Sequence, residues 1–273
     1  MKKSLLFIAS LALIAACAST HAGTPTAGSR TAMTLKSDHI NSFTTTLPVE
    51  VIITDSSSPC AQIEIPSAEI AEWVVCRIEG SALMIYPRKD AGHRLDALSS
   101  SNPIKVRLES SEIGEICNTS SAAVTCRNNR FARSLSISNT GAMRIEAAQI
   151  ALTQNFEISN TGRCTLGVKT MKSGGKITLT NTGRIESTVE RFESPIWENT
   201  NTGVIDLSSS VTANRVICTS TGRDNLSLEV KCDKLDITST GAGSLKFRGS
   251  ADNISVTATG SAHISTAEVR QPR

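Results

Sequence analysis

The sequence predicts an all-β fold, a right-handed parallel β-helix with coils of about 20 residues and irregular coils at its N-terminal side. Three observations carry that prediction. A Thr-Gly step recurs at Gly141, Gly162, Gly183, Gly203, Gly222, Gly241 and Gly260, at intervals of 21, 21, 20, 19, 19 and 19 residues. Counted from each glycine, even offsets are largely apolar and odd offsets largely Ser, Thr or charged, the period-two pattern of a strand with one face inward. β-branched residues and glycine dominate the repeat, whereas a helical repeat needs 3.6-residue periodicity and better helix formers. The right hand follows from the rule for parallel crossovers.

Lys2 and Lys3 precede an apolar run over residues 5–16 that is too short to span a bilayer, which predicts a signal peptide at 1–16. Two cleavage readings stay open. Ile14-Ala15-Ala16-Cys17 has the form of a lipobox that would lipidate Cys17; Ala16-Cys17-Ala18 or Thr20-His21-Ala22 would suit an ordinary peptidase and extend the leader to 22. Both export the chain. Residues 17–36 are small, polar and aperiodic, the composition of a flexible tether. Residues 37–112 hold short alternating runs between turn residues, predicted as irregular coils or a cap, with 68–75 the only helical-looking stretch. Regular repeats fill 113–268, continuous with 37–112 as one solenoid.

Two positions before each glycine an inward column holds Asn118, Asn139, Asn160, Asn181 and Asn201, then Ser220, Ser239 and Ala258. A lone buried amide would cost about 1–3 kcal/mol. Stacked amides at coil spacing satisfy one another, so the column is expected to be an internal ladder. The neighbouring glycines are expected to supply φ > 0 at the turn. Seven cysteines follow Cys17, an odd number with no zinc spacing; most fall where the repeat wants a small apolar residue, and Cys60–Cys76 and Cys117–Cys126 remain open as pairings.

The run strand–Ser/Thr–Asn/Ser–Thr–Gly–x–apolar, in tandem behind an irregular β-rich segment and a leader, resembles the auto-transporter adhesin head GIN domain family, a domain of unknown function in exported proteins of Bacteroidetes-type bacteria. Residues 47–53, 75–85 and 104–108 are similar to its opening strands, and 116–264 to its later coils, where Ser-Gly often stands for this chain's Thr-Gly. The resemblance implies a β-helix and an adhesin-like role, and carries no catalytic motif.

Removing Lys2 and Lys3 lowers the formal charge from +3 to +1, and aromatics are 3% of the chain, which gives no basis for a nucleic-acid partner or an aromatic glycan platform. No cofactor fingerprint or metal-ligand cluster occurs. Glu186 and Asp206, three residues after successive glycines, should sit about 5 Å apart on one outer face, with Asn225 next. Paired carboxylates of this kind could cleave a polysaccharide or bind Ca²⁺. Against that stand their exposure, nearby Arg184 and the lack of a cleft-forming insertion; Arg163, Arg184 and Arg223 form a parallel basic column. The sequence therefore predicts a non-catalytic, exported surface or envelope module that binds an extracellular glycan or protein surface or has a structural role. Its only membrane contact would be the N-terminal lipid, at the outer membrane or cell surface or in the periplasm. The alternative is a carbohydrate-active enzyme using Glu186 and Asp206.

Overall fold

The computed structural model of the chain describes residues 30–127 and 131–271; the expected leader, Cys17 and the tether up to residue 29 lie outside the described residues. The fold is a β-solenoid of about seven turns of roughly 20 residues. Each regular coil contributes one strand before the Thr-Gly corner and one after it. On the first face Glu115–Asn118, Leu135–Asn139, Phe156–Asn160, Lys176–Asn181, Ile196–Asn201 and Arg215–Ser220 stack in parallel. Repeat positions lie directly over one another: Asn118 faces Asn139, which faces Asn160. The second face stacks Ser121–Cys126, Ala142–Leu152 and Arg163–Ser173 in the same way. The inward residues Ile137, Ile158, Leu179, Ile145 and Leu166 form one continuous buried core.

The shortening of the period from 21 to 19 is two separate one-residue losses. Lys172 faces Glu193 but Lys176 faces Ile196, so one residue goes at the corner where Gly174-Gly175 gives way to Pro195. Ser187 faces Leu207 but Arg191 faces Ser210, so the second goes at the bend between them. Without that residue the alternation runs on past the bend as far as Cys232, and Arg223–Ser239 and Ala242–Ala258 are single strands of 17 residues.

The N-terminal part departs from chain order. Ser42–Thr45 and Val49–Thr54 form a coil that lies between Glu115–Asn118/Ser121–Cys126 on one side and Ala82–Pro87/Ile104–Glu109 on the other. The chain thus lays down a coil, builds the one outside it, and returns past it through Ser110, whose hydroxyl donates to Ile40 O at 2.6 Å. Three further strands close this end. Cys60–Ile65 runs antiparallel to Ile104–Glu109, and Val74–Glu79 hairpins onto Ala82–Pro87 through Gly80, whose φ of 61° does need glycine. Thr31–Lys36 then pairs antiparallel with Cys60–Ile65, so the segment expected to be tether as far as residue 36 is strand from Thr31. Its alternation Met33–Leu35 packs half-buried against the core, which gives this stretch a reason to order. The helical stretch expected at 68–75 is one turn, Ala68–Ala71, capped by Ser67; Val74 and Val75 belong to the following strand.

Candidate functional site

The corner column is a hydrogen-bonded ladder. Asn118 Nδ2 donates to Asn139 Oδ1 at 2.8 Å, Asn139 to Asn160 at 2.7 Å, Asn160 to Asn181 at 2.7 Å and Asn181 to Asn201 at 2.7 Å. Each amide also donates to its own corner, as Asn160 does to Gly162 O at 2.9 Å, and to the coil ahead, as to Arg184 O at 3.1 Å. All five side chains are buried. The column starts one coil earlier than the asparagines: Thr45 Oγ1 accepts from Leu47 N at 3.1 Å and donates to Leu47 O at 2.9 Å, doing with a hydroxyl what each Asn does within its corner. No Asn-Thr-Gly marks that position in the sequence.

At the other end the ladder terminates on an acid that the sequence analysis passed over. Asn201 Nδ2 turns from its own column to Asp224 Oδ1. Asp224 is fully buried, in an inward column that holds Ala122, Met143, Cys164, Ile185 and Ile205 on the coils before it and Gly243 on the next. Burial pushes its carboxyl above the ordinary aspartate value, opposed by the Asn201 bond and the nearby Ser220 hydroxyl. The signal for it was an acid in an apolar column.

The repeat glycines act differently from expectation. None has positive φ; among described glycines only Gly80, Gly92, Gly243 and Gly249 do. What excludes a side chain is stacking distance: a Cβ on Gly162 would lie 1.9 Å from Gly141 O, and one on Gly183 2.0 Å from Gly162 O. The corners of successive coils touch backbone to backbone.

On the outer face Glu186 and Asp206 are register neighbours, as are Asp206 and Asn225. They form one ion-paired chain. Arg163 donates to Glu186 Oε1 at 3.0 Å, Arg184 reaches Glu186 Oε1 at 2.6 Å and Asp206 Oδ2 at 3.1 Å, and Asn225 donates to Asp206 Oδ1 at 3.3 Å. The hydrogen bonds from Arg163 and Arg184 hold the Glu186 carboxyl below its ordinary value. A general acid needs the reverse, a carboxyl kept protonated by an apolar site. The same motif of carboxylates shared between coils recurs at Lys172–Glu193–Arg191 and Arg215–Asp236–Lys234. Among the described residues no group of three or more His, Cys, Asp or Glu could hold a metal ion. One wall was not foreseen. The out-of-order coil brings Ser100 and Pro103 alongside this face, making a shallow groove over Ala123 that reaches Arg163 and Glu186.

Trp197 is buried with its ring 5.8 Å from that of Phe192. Asn199 is buried with neither amide atom bonded, and nothing in the structure explains it. His39 and His93 pair at the surface with Glu112 and Asp96. All seven described cysteines are free, so Cys60, Cys76, Cys117 and Cys126 form neither of the pairings left open. Burial raises Cys76, Cys126 and Cys164 to about 12 and Cys232 to about 11, which keeps them protonated at neutral pH.

Solved structures share the architecture. A putative adhesin from Parabacteroides merdae superposes with a TM-score of 0.65 at 13% identity, over 88% of this chain and 98% of that one. A putative lipid binding protein from Parabacteroides distasonis gives 0.62 at 17%, over 88% and 98%, and a putative adhesin from Bacteroides fragilis 0.52 at 18%, over 86% and 96%. At these identities the likeness shows the fold. No curated protein matches the chain in sequence. The regular coils do match a family model: residues 165–271 are similar to the family described as putative auto-transporter adhesin, head GIN domain.

Proposed function

We propose that the protein is an exported, non-catalytic surface module that binds an extracellular glycan or protein through the polar outer face of its coils. The observation that carries this reading is the Arg163–Glu186–Arg184–Asp206 chain, in which the carboxylates expected to work as a pair are held instead by guanidinium groups on a shallow face. The adhesin-type family match over 165–271 supports the same reading. Affinity would come from many weak polar contacts along the register of the coils, with Ser100 and Pro103 limiting the face at one side. The leader at 1–16 would direct export, and a lipid on Cys17 would then hold the body at the cell surface or in the periplasm. Mass spectrometry of the mature N-terminus tests that arrangement: an acylated Cys17 supports it, and a chain starting at Gly23 sinks the anchor.

The test of function is a glycan and host-protein binding screen on the exported chain, with product analysis of every glycan bound. Saturable binding that Arg163→Ala or Arg184→Ala weakens, with every glycan recovered intact, is the expected result. Shortened glycans whose release stops in Glu186→Gln would overturn it.

A further inference from the structure

We infer that one ordered water is bound inside the solenoid where the asparagine ladder stops, held by Ser220, Ser239 and Asp224. The inference starts from a change of side chain in one inward column. Asn201 faces Ser220, which faces Ser239, so two hydroxyls follow the amides. Each serine stops at a hydroxyl where the asparagines extend to an amide. On the coil of Ser220 the amide's place is taken, because Asp224 reaches across the corner. Its Oδ1 accepts from Asn201 Nδ2, the bond that a further asparagine would accept. On the coil of Ser239 the residue in register with Asp224 is Gly243, which has no side chain. The two columns flanking the corner thus lose side-chain volume together, directly ahead of Asp224.

Polar atoms surround that place. Ser220, Ser239 and Asp224 are 1%, 1% and 0% exposed. Ser220 Oγ, Ser239 Oγ and Asp224 Oδ2 are each enclosed and make no hydrogen bond to another described residue. Buried polar groups of folded proteins are paired, with protein or with ordered water. Burial raises the Asp224 pKa, opposed by Asn201 and by the Ser220 hydroxyl, so hydroxyl and carboxyl face each other. They nevertheless do not bond directly. A polar pair that interacts without a direct bond is where a bridging water belongs.

The backbone supplies a further acceptor. One coil earlier Asn201 Nδ2 donates to Gly203 O at 3.2 Å and to Arg223 O at 3.4 Å. The register sets Gly222 O and Ala242 O at the corresponding points around Ser220, where among the described residues no side-chain amide meets them. One water then completes the bonding. It accepts from the Ser220 and Ser239 hydroxyls and donates to Asp224 Oδ2 and Gly222 O, about as many bonds as a buried water makes. An apolar gap of this size would stay dry, whereas a polar one with the room of an amide holds water.

The test is a crystal structure of the exported chain carrying Cys17→Ser, at a resolution that places ordered water. One water within hydrogen-bond reach of Ser220 Oγ, Ser239 Oγ and Asp224 Oδ2 is expected, with none inside the ladder at Asn139, Asn160 and Asn181. In Ser239→Asn the new amide should take the water's position, the water should be lost, and the circular dichroism should match the parent. Density for no water at this corner, direct bonds from both hydroxyls to Asp224, an ion with contacts shorter than hydrogen bonds, or a water unmoved in Ser239→Asn would each overturn the inference. If Ser239→Asn fails to fold, cross-relaxation between water and the backbone amides of Ser220 and Ser239 in the parent decides. A water that stays longer than the protein takes to tumble is expected there, and its absence overturns the inference.

Discussion

Asn139, Asn160 and Asn181 each hold three carbonyl acceptors with one amide, and the oxygen of each accepts from the asparagine of the coil before it. Asp224 ends that series with a group that can only accept while it is ionised. A buried carboxylate beside a single amide donor is poorly compensated, which is why burial raises its pKa. The sign of the linkage follows. Because the folded value lies above the unfolded one, the stabilisation that Asp224 gives is fully present below the ordinary aspartate value and is lost as pH rises through the raised value. Asp224→Asn keeps the acceptor for Asn201, offers an amide toward Ser220 and removes the ionisation. The expected outcome is a variant more stable at neutral pH by about 1–3 kcal/mol, with little difference from the parent in acid, read by urea unfolding at both pH values. A variant less stable at neutral pH would mean that the charge itself is needed. The exposed Arg163–Glu186–Arg184 chain, by contrast, is screened by water, and its contribution to stability is small.

Corner and strand make different demands on glycine, and the two can be separated. At Gly162 a methyl group would meet Gly141 O at 1.9 Å, so Gly162→Ala must push two coils apart or break the corner. At Gly167, in the strand that follows, the nearest atoms to an added Cβ are 3.6 Å away and φ is unstrained. Gly162→Ala should therefore cost several kcal/mol, at the severe end for single substitutions (more than ~4 kcal/mol). Gly167→Ala should be neutral or stabilise by about 0.4–1 kcal/mol. Thermal unfolding of the two variants side by side checks this; equal behaviour would return the explanation to backbone conformation. The same contrast marks what could be read from the sequence. The period, the inward columns and the Asn column are one-dimensional patterns, and stacking in register turns them directly into neighbours. The glycine role was legible as a position but not as a cause, because Thr-Gly is compatible both with a left-handed turn and with close stacking. The guanidinium pairing of Glu186 needed the columns one and three residues after the glycine read across coils. Thr45 and the Ser100–Pro103 wall were hidden, since both depend on which coil lies beside which.

Chain order fails as a guide at the N-terminal end, and this has consequences for how the whole molecule holds together. The coil Ser42–Thr54 touches the regular repeats on one side and a coil made from 82–109 on the other, so it is completed only after about 70 further residues have been placed. In a simple solenoid each coil contacts its neighbours in sequence and unfolding can proceed coil by coil from either end. Here the outer coil, the two antiparallel strands over it and the inner coil share contacts that none can keep alone, so residues 31–126 should open as one unit. Ile85 is the place to test it. It is fully buried on the outer coil and lies directly over Thr45, the first member of the corner column. Ile85→Ala removes about 2–5 kcal/mol of packing. If the end is a single cooperative unit, native-state amide exchange will accelerate together across the strands Thr31–Lys36, Ser42–Thr45, Val49–Thr54 and Ile104–Glu109, with Phe156–Asn160 unchanged. Acceleration confined to Ala82–Pro87 and its hairpin partner would show instead that the inner coil stands on the regular repeats by itself, and that the out-of-order coil is a removable lid.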